Sequence, residues 1–435
     1  MDLLFQIGQF VLMISILVVL HEFGHYIPAK LFKVKVEKFF LFFDVKFALF
    51  KKKIGETTWG IGWLPLGGYV KIAGMIDESM DRDQMALPAQ PWEFRSKPAW
   101  QRLIIMCGGV IVNFLLAWIV YAALLVNNGD TYIPSENLKY GIEVDSIGSA
   151  LGFKTGDKIL AVDDKPVKKI SQAVLEVLLG DKVTVDRSGK IIDLPLTDAH
   201  KKLLFSNTQR PFIGPRLSSK IGYIQEGSLA DESGLKINDE VLKSNGKPTL
   251  FWNDWRNEII ASKGDTLKLE IKRRNEVLIK SIYLSGEGFL GVAPSRDDLL
   301  VTDNYNIVQA IPAGFDKTIE ALSGQVRQFK VIFNTKTEAY KKVSGPVGIV
   351  QMMPQRWDST FFWSFLAMFS VWLAFVNILP IPALDGGHVM FLLYEMITGR
   401  KPSQRVLEIG QIIGFVIVMG LMALVFGNDL FNLFK

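Results

Sequence analysis

Cysteine is almost missing from this chain. Cys107 is the only one in 435 residues, which excludes an internal disulfide and leaves the redox compartment unread. Histidine is scarce as well. Of the four present (His21, His25, His200 and His388) two fall within five residues of each other. Charge of one sign is not in surplus. A net charge of +5 is too small to argue for a nucleic-acid partner, and no interleaving of basic and aromatic residues supports one. Apolar residues, by contrast, make up 49% of the chain while charged ones still make up 21%. That mixture predicts membrane spans joined to water-soluble modules.

The apolar residues are gathered into runs. Leu3 to Leu20 carries no charge, and a span needs ~20 such residues. A cleaved signal peptide is disfavoured, because no basic segment precedes the run and cleavage would discard the histidine pair at its end. The expected fold is a polytopic α-helical membrane protein with four transmembrane helices, at 1–28, 101–127, 361–398 and 399–427. Between the first two lies a loop, 29–100, rich in lysine and arginine, among them Lys51, Lys52, Lys53, Arg82 and Arg95. By the positive-inside rule it is cytoplasmic. Phe39–Phe50 and Trp59–Ile72 read as strands. The stretch from Gly60 to Val70 is too apolar for a solvated loop, and a β-hairpin associated with the membrane interface would explain it. In the second span Gly108 and Gly109 permit close helix contact. Asn113 there reads either as an interhelical hydrogen bond or as a group facing a site.

After the second span the composition turns charged, strand-like and rich in turn residues, and it repeats. Gly156-Asp157-Lys158-Ile159-Leu160 is matched by Asn238-Asp239-Glu240-Val241-Leu242, and each copy follows a Gly-Ser pair. Two copies of one small β-rich module are expected, at 128–214 and 215–296, on the far side of the membrane from the basic loop. An amphipathic helix and linker fill 297–360. Its helical part, from Ala313 to Tyr340, is expected to lie on the membrane surface or against the modules.

The chemistry sits at the end of the first span, in His21-Glu22-Phe23-Gly24-His25. On a helix the two imidazoles share a face and can reach one metal ion, and Glu22 is placed to take a proton from a water beside it. Ionisable groups are rarely put in lipid without a functional reason. A catalytic zinc takes three protein ligands. The third span stops at Pro380 and Pro382, and Asp385 follows, the only carboxylate between Asp358 and Glu395. Both spans run the same way across the membrane, so Asp385 arrives at the depth of the histidines. Asp385 is the favoured third ligand, with His388 as its rival and a simple turn residue as the bland reading. Hydrolysis of a peptide bond within the bilayer follows, and a helical substrate must unwind first. Asn377 could bond the freed backbone or merely cap the helix break. The hairpin residues Leu64, Gly67, Gly68 and Tyr69 could pair with an unwound strand by β-addition.

The His21–His25 element, the Leu64-Pro65-Leu66-Gly67-Gly68-Tyr69-Val70 stretch and the Asn377–Gly386 stretch together resemble the intramembrane site-2 zinc metalloproteases, from end to end of the chain. The resemblance implies tandem PDZ domains in the periplasm, zinc held by His21, His25 and Asp385, and Glu22 as catalytic acid/base. It also implies a multi-pass protein of the bacterial inner membrane, with the active site near the cytoplasmic side. The implied substrate is a single-span membrane protein, an anti-sigma factor already cut once in the periplasm, whose cleavage frees a transcription factor in an envelope stress response. Remnant signal peptides are a further implied substrate. The PDZ pair would act as a size filter. The lipid bilayer is the implied surrounding, no nucleic acid is bound, and a monomer is expected. Two departures stand out: Phe42-Phe43-Asp44 replaces a Gly-Phe-Gly, and Val110 follows Gly109 where the family often has proline. The competing classes are a PDZ-bearing membrane receptor with a structural metal, and a metal transporter. Glu22 argues against the first, and the gathering of polar groups at one depth against the second.

Overall fold

The computed structural model describes residues 2–65, 67–75, 88–206, 211–286 and 289–433. Leu66 and Arg82, both named above, lie outside the described residues. The chain divides into two compact units: 1–129 with 304–333 and 340–435, and 130–303 with 334–339.

In the first unit, α1 (Asp2–Leu31) carries no charged residue between Asp2 and the Glu22 region and is followed by a four-stranded sheet. The strands are β1 (Val36–Leu41), β2 (Phe43–Ile54), β3 (Thr57–Leu64) and β4 (Tyr69–Ile72), in the spatial order β2-β3-β1-β4. Two strands were expected in this region. The difference is non-local: β1 pairs in parallel with β3 and antiparallel with β4, a pattern that local alternation cannot show. β2 and β3 form the hairpin, turned at Gly55 with φ +61°. The sheet is tied to α1 by rings, Phe23 and Tyr26 packing on Phe39 and Trp59. The Phe42-Phe43-Asp44 departure also has a use. Phe43 stacks on Tyr69, and Asp44 accepts the Tyr69 hydroxyl at 2.8 Å, so both fasten β4.

α2 (Ala99–Asn128) follows Pro98 and ends at Gly129, φ +67°. α3 (Ile307–Ile332) starts earlier than the sequence suggests, because Asn306 and Gln309 form a reciprocal capping box. It packs against α2 and against α4 (Ser359–Ile378), with Gly314 set on the backbone of Ala122 and Phe329 on Phe375. Small residues on one face, Gly314 among them, let it dock on other helices of its unit. α5 (Asp385–Thr398) and α6 (Gln404–Leu433) complete the unit. The helices α1, α2, α4 and α6 are long and apolar enough to cross a membrane.

Two apolar cores flank one stretch of α1. Met13 and Leu17 pack with Val120, Phe362 and Leu366. Ala29 packs with Ile72, Ile105, Met106, Val389 and Leu392. His21 to His25 fall between them.

The second unit holds two cores of its own, one around Ile142, Phe153, Val183 and Val185, the other around Ile221, Val241, Trp255 and Leu269. The topologies correspond. The first sheet runs Lys190–Pro195, Lys182–Arg187, Lys158–Val162, Lys165–Pro166; the second runs Glu276–Tyr283, Thr266–Arg273, Glu240–Ser244, Lys247–Pro248. In the first, Arg187 forks onto both oxygens of Asp157 at 2.7 Å and onto the carbonyl of Gly152 at 2.8 Å. In the second, Arg273 forks onto Asp239 at 2.7 and 2.8 Å and onto the carbonyl of Gly234 at 2.8 Å. The repeated Gly156-Asp157 and Asn238-Asp239 are therefore one device. Gly156 and Asn238 both hold a left-handed φ, +96° and 72°, which those two residue types tolerate best.

Candidate active site

α1 delivers three groups in little more than one turn. A helix places residues four apart on one face, and the rings of His21 and His25 stand edge to face with centroids 4.9 Å apart. The face they occupy meets α2 at its glycines. A Cβ on Gly24 would lie 2.4 Å from the carbonyl oxygen of Gly108, and one on Gly109 would lie 2.5 Å from both imidazoles. The two backbones touch, and the rings fill the space that Gly109 leaves open. Gly109 thus serves the site as well as the helix contact expected of it.

Asp385 comes from the other side. α4 ends at Ile378, and the two prolines that follow withhold two backbone donors. The break satisfies itself locally: Ile381 N–H donates to the Leu379 carbonyl at 2.7 Å, and Leu384 N–H to the Ile381 carbonyl at 2.8 Å. α5 then begins at Asp385, pressed onto this segment through its glycines. A Cβ on Gly386 would lie 2.2 Å from the Leu379 carbonyl oxygen, and one on Gly387 2.2 Å from Pro382.

The result is a triangle. Asp385 Oδ2 lies 3.3 Å from His21 Nε2 and 3.3 Å from His25 Nε2, and the two Nε2 atoms are 3.3 Å apart. Among the described residues these three form the one group of His, Cys, Asp or Glu side chains able to share an ion. The donor set fits zinc on two counts. An ion about 2.0–2.1 Å from each of three tetrahedral donors needs them roughly 3.3–3.4 Å apart. Further, Asp385 Oδ2 is buried with no hydrogen-bond partner. His25 Nδ1 lies 2.8 Å from the Ile105 carbonyl oxygen and must donate to it, which in the neutral imidazole leaves the Nε2 lone pair aimed at that carboxylate. Lone pairs converging in a buried place repel one another unless a cation joins them.

Glu22 lines the same cavity, of about 490 Å3, with His21, His25, Asp385, Gly68, Tyr69 and Val70. Val70, on edge strand β4, lines the cavity beside Glu22. Of the hairpin residues singled out in the sequence, Gly68 and Tyr69 line the cavity. Leu64 ends β3 opposite Phe43, and Gly67 lies against the Phe43 ring. Asn377 reaches the site, its Nδ2 3.5 Å from His21 Nε2. His388 lines the cavity but is not one of the three converging groups. Asn113 faces the site, 3.1 Å from His21 Nδ1. Sequence reasoning missed Gln411, a buried amide of α6 that lines the cavity. A lone amide inside an otherwise uncharged run was the signal available for it.

The description "Peptidase family M50" matches residues 9–421. A protein of Neisseria meningitidis named as a zinc metalloprotease is 30% identical over 454 residues, covering 98% of this chain and 98% of that one. Protease RseP of Yersinia pestis is 29% identical over 459 residues, with 99% of each chain covered. The regulator of sigma-E protease RseP of Salmonella typhimurium is 28% identical over 456 residues, again with 99% of each covered. Four apolar helices and a metal-ready triangle, together with these matches along the whole chain, make this an integral membrane protein that belongs to peptidase family M50, a zinc metalloprotease of the site-2 type.

Proposed function

We propose that this chain is an intramembrane endopeptidase in which His21, His25 and Asp385 hold the zinc and Glu22 moves the proton. The observation that carries the reading is the 3.3 Å triangle beside Glu22, set between helices whose other faces are apolar. Zinc, when bound, acidifies a water and polarises a carbonyl. The Glu22 carboxylate takes a proton from the attacking water as its oxygen bonds to the scissile carbonyl carbon. The same carboxylate then gives that proton to the amide nitrogen as the C–N bond breaks, leaving a carboxylate end and an amine end.

The substrate is a single-span membrane protein, unwound at the cut. β4 is an edge strand whose Tyr69 and Val70 line the cavity with Glu22, so an extended segment added along Gly68 to Val70 would pass the Glu22 carboxylate. Asn377, held within 3.5 Å of His21, bonds backbone freed by the unwinding. The basic loop after α1 faces the cytoplasm of a bacterial inner membrane, and the active site lies near that face. The two β-rich modules are PDZ domains on the periplasmic side, where they exclude substrates that still carry a folded domain. Relatives named regulator of sigma-E protease support an anti-sigma factor as the substrate class, its cleavage releasing a transcription factor under envelope stress. Remnant signal peptides fit the same site, and the enzyme acts as a monomer.

The test is cleavage of a single-span substrate by the full chain reconstituted in lipid. Glu22→Gln removes the proton carrier and leaves the three ligands. Cleavage is expected to fall on the order of 10^2–10^4-fold while zinc per chain stays unchanged. Equal cleavage by wild type and variant would refute the role of Glu22.

A further inference from the structure

We infer that Asn113 is a positioning residue for the metal centre: its amide oxygen accepts the Nδ1–H of His21 and thereby turns Nε2 towards the ion. The inference rests on the proposed ligand set of His21, His25 and Asp385.

The starting point is the tautomer of His21. A neutral imidazole that gives its Nε2 lone pair to a cation carries its proton on Nδ1, and that N–H needs an acceptor. His21 Nδ1 has the Asn113 side chain 3.1 Å away. The amide nitrogen stands at that end, so an Nδ1–H would meet another donor, while Asn113 Oδ1 is buried with no partner. Amide oxygen and nitrogen have the same shape, and their assignment follows from the hydrogen bonds around them. Turning the amide by half a rotation sets its oxygen, in place of its nitrogen, at His21 Nδ1. The buried oxygen gains a donor, and His21 is fixed as the tautomer that can hold a metal.

The rest of α2 agrees. His25 already has its Nδ1 at 2.8 Å from the main-chain carbonyl of Ile105. Ile105, Gly109 and Asn113 recur every four residues, one stripe of the helix. The stripe offers a carbonyl to His25, open space to both rings, and an amide to His21. Asn113 is completely buried and its helix is tied at that level to α4, where the Ser370 hydroxyl donates to the Asn113 main-chain carbonyl at 2.7 Å. That bond uses the backbone and leaves the side chain to His21.

The test is zinc affinity, measured by chelator competition on the purified full chain. Asn113→Leu keeps the shape and deletes the acceptor. Asn113→Asp keeps an acceptor in place, and Asp385→Ala removes a proposed ligand. Wild type and Asn113→Asp are expected to hold zinc with affinities within a few fold, and Asn113→Leu to bind about 10–100-fold more weakly. Rescue by aspartate is the result that a merely structural asparagine would not produce. If Asn113→Leu does not fold, Asn113→Ser, whose oxygen is too short to reach His21, is expected to show the same weakening. Wild-type affinity in the leucine or serine variant, or equal weakening in the aspartate variant, overturns the inference. Wild-type affinity in Asp385→Ala overturns instead the ligand set on which it rests.

Discussion

The clamps of the β-rich modules and the candidate site of the membrane unit bury charge in opposite ways. In each β-rich module a carboxylate that is 1% exposed is answered in full: an arginine forks onto both oxygens and closes on a nearby carbonyl. In the membrane unit a carboxylate and two imidazoles converge, and the buried Asp385 Oδ2 is answered by no donor. The first arrangement is complete in the protein alone. The second is complete only when a cation is supplied. A self-satisfied buried pair is thus a mark of construction, and an unsatisfied one is a mark of a guest.

The contrast can be broken from its strongest side first. Asp385→Asn should abolish zinc retention and lower cleavage on the order of 10^3-fold or more. Yet the zinc-free variant should melt no lower than zinc-free wild type, since the change relieves converging lone pairs. A lower melting temperature for the variant, with both proteins stripped by chelator, would show that the triangle stabilises the fold by itself.

Breaking a clamp should do the reverse. Arg187→Met or Arg273→Met leaves a buried aspartate uncompensated, at a cost of about 3 kcal/mol, the low end for such pairs because each guanidinium is about a quarter exposed. Hydrogen exchange should quicken in the strands of the mutated module, by similar amounts for the two variants, with zinc content unchanged. Unequal losses would mean that the two clamps are not one device.

The smallest expected effect compares the paired turn residues. Gly156→Ala adds a Cβ that meets nothing within 4 Å, so only its φ of +96° is at issue, worth about 1 kcal/mol. Asn238→Gly, at the matching position, should fall within a few tenths of a kcal/mol by the same exchange measurement.

Much of this was legible in the linear chain, for reasons that differ by element. His21, Glu22 and His25 are local, so helix geometry alone puts them together. Asp385 was legible at longer range, because two spans running the same way bring their ends to one depth. The repeat was legible because the Asp157 and Asp239 turns are strict in shape. What stayed hidden was azimuth. Hydropathy says that α2 crosses, not which stripe faces α1, so Asn113 and Gly109 could not be placed with certainty. Gln411 was hidden for the same reason. The parallel pairing of β1 with β3 was hidden because it joins residues about twenty apart, such as Lys38 and Thr58.

The glycine crossing of α1 and α2 has a further consequence. A Cβ on Gly24 or on Gly108 would fall 2.4 or 1.9 Å from the opposing carbonyl oxygen, so the spacing of these helices is gauged by main chain against main chain. Side-chain packing yields by degrees as a bilayer thickens, thins or changes its lipids, but a backbone contact has no slack to give. The positions of His21 and His25 against α2 are thereby calibrated by a hard stop. The same stop leaves no tolerance for inheritance: even the smallest side chain at either glycine would push the helices apart by a distance comparable to the margin between a ligand that binds and one that does not.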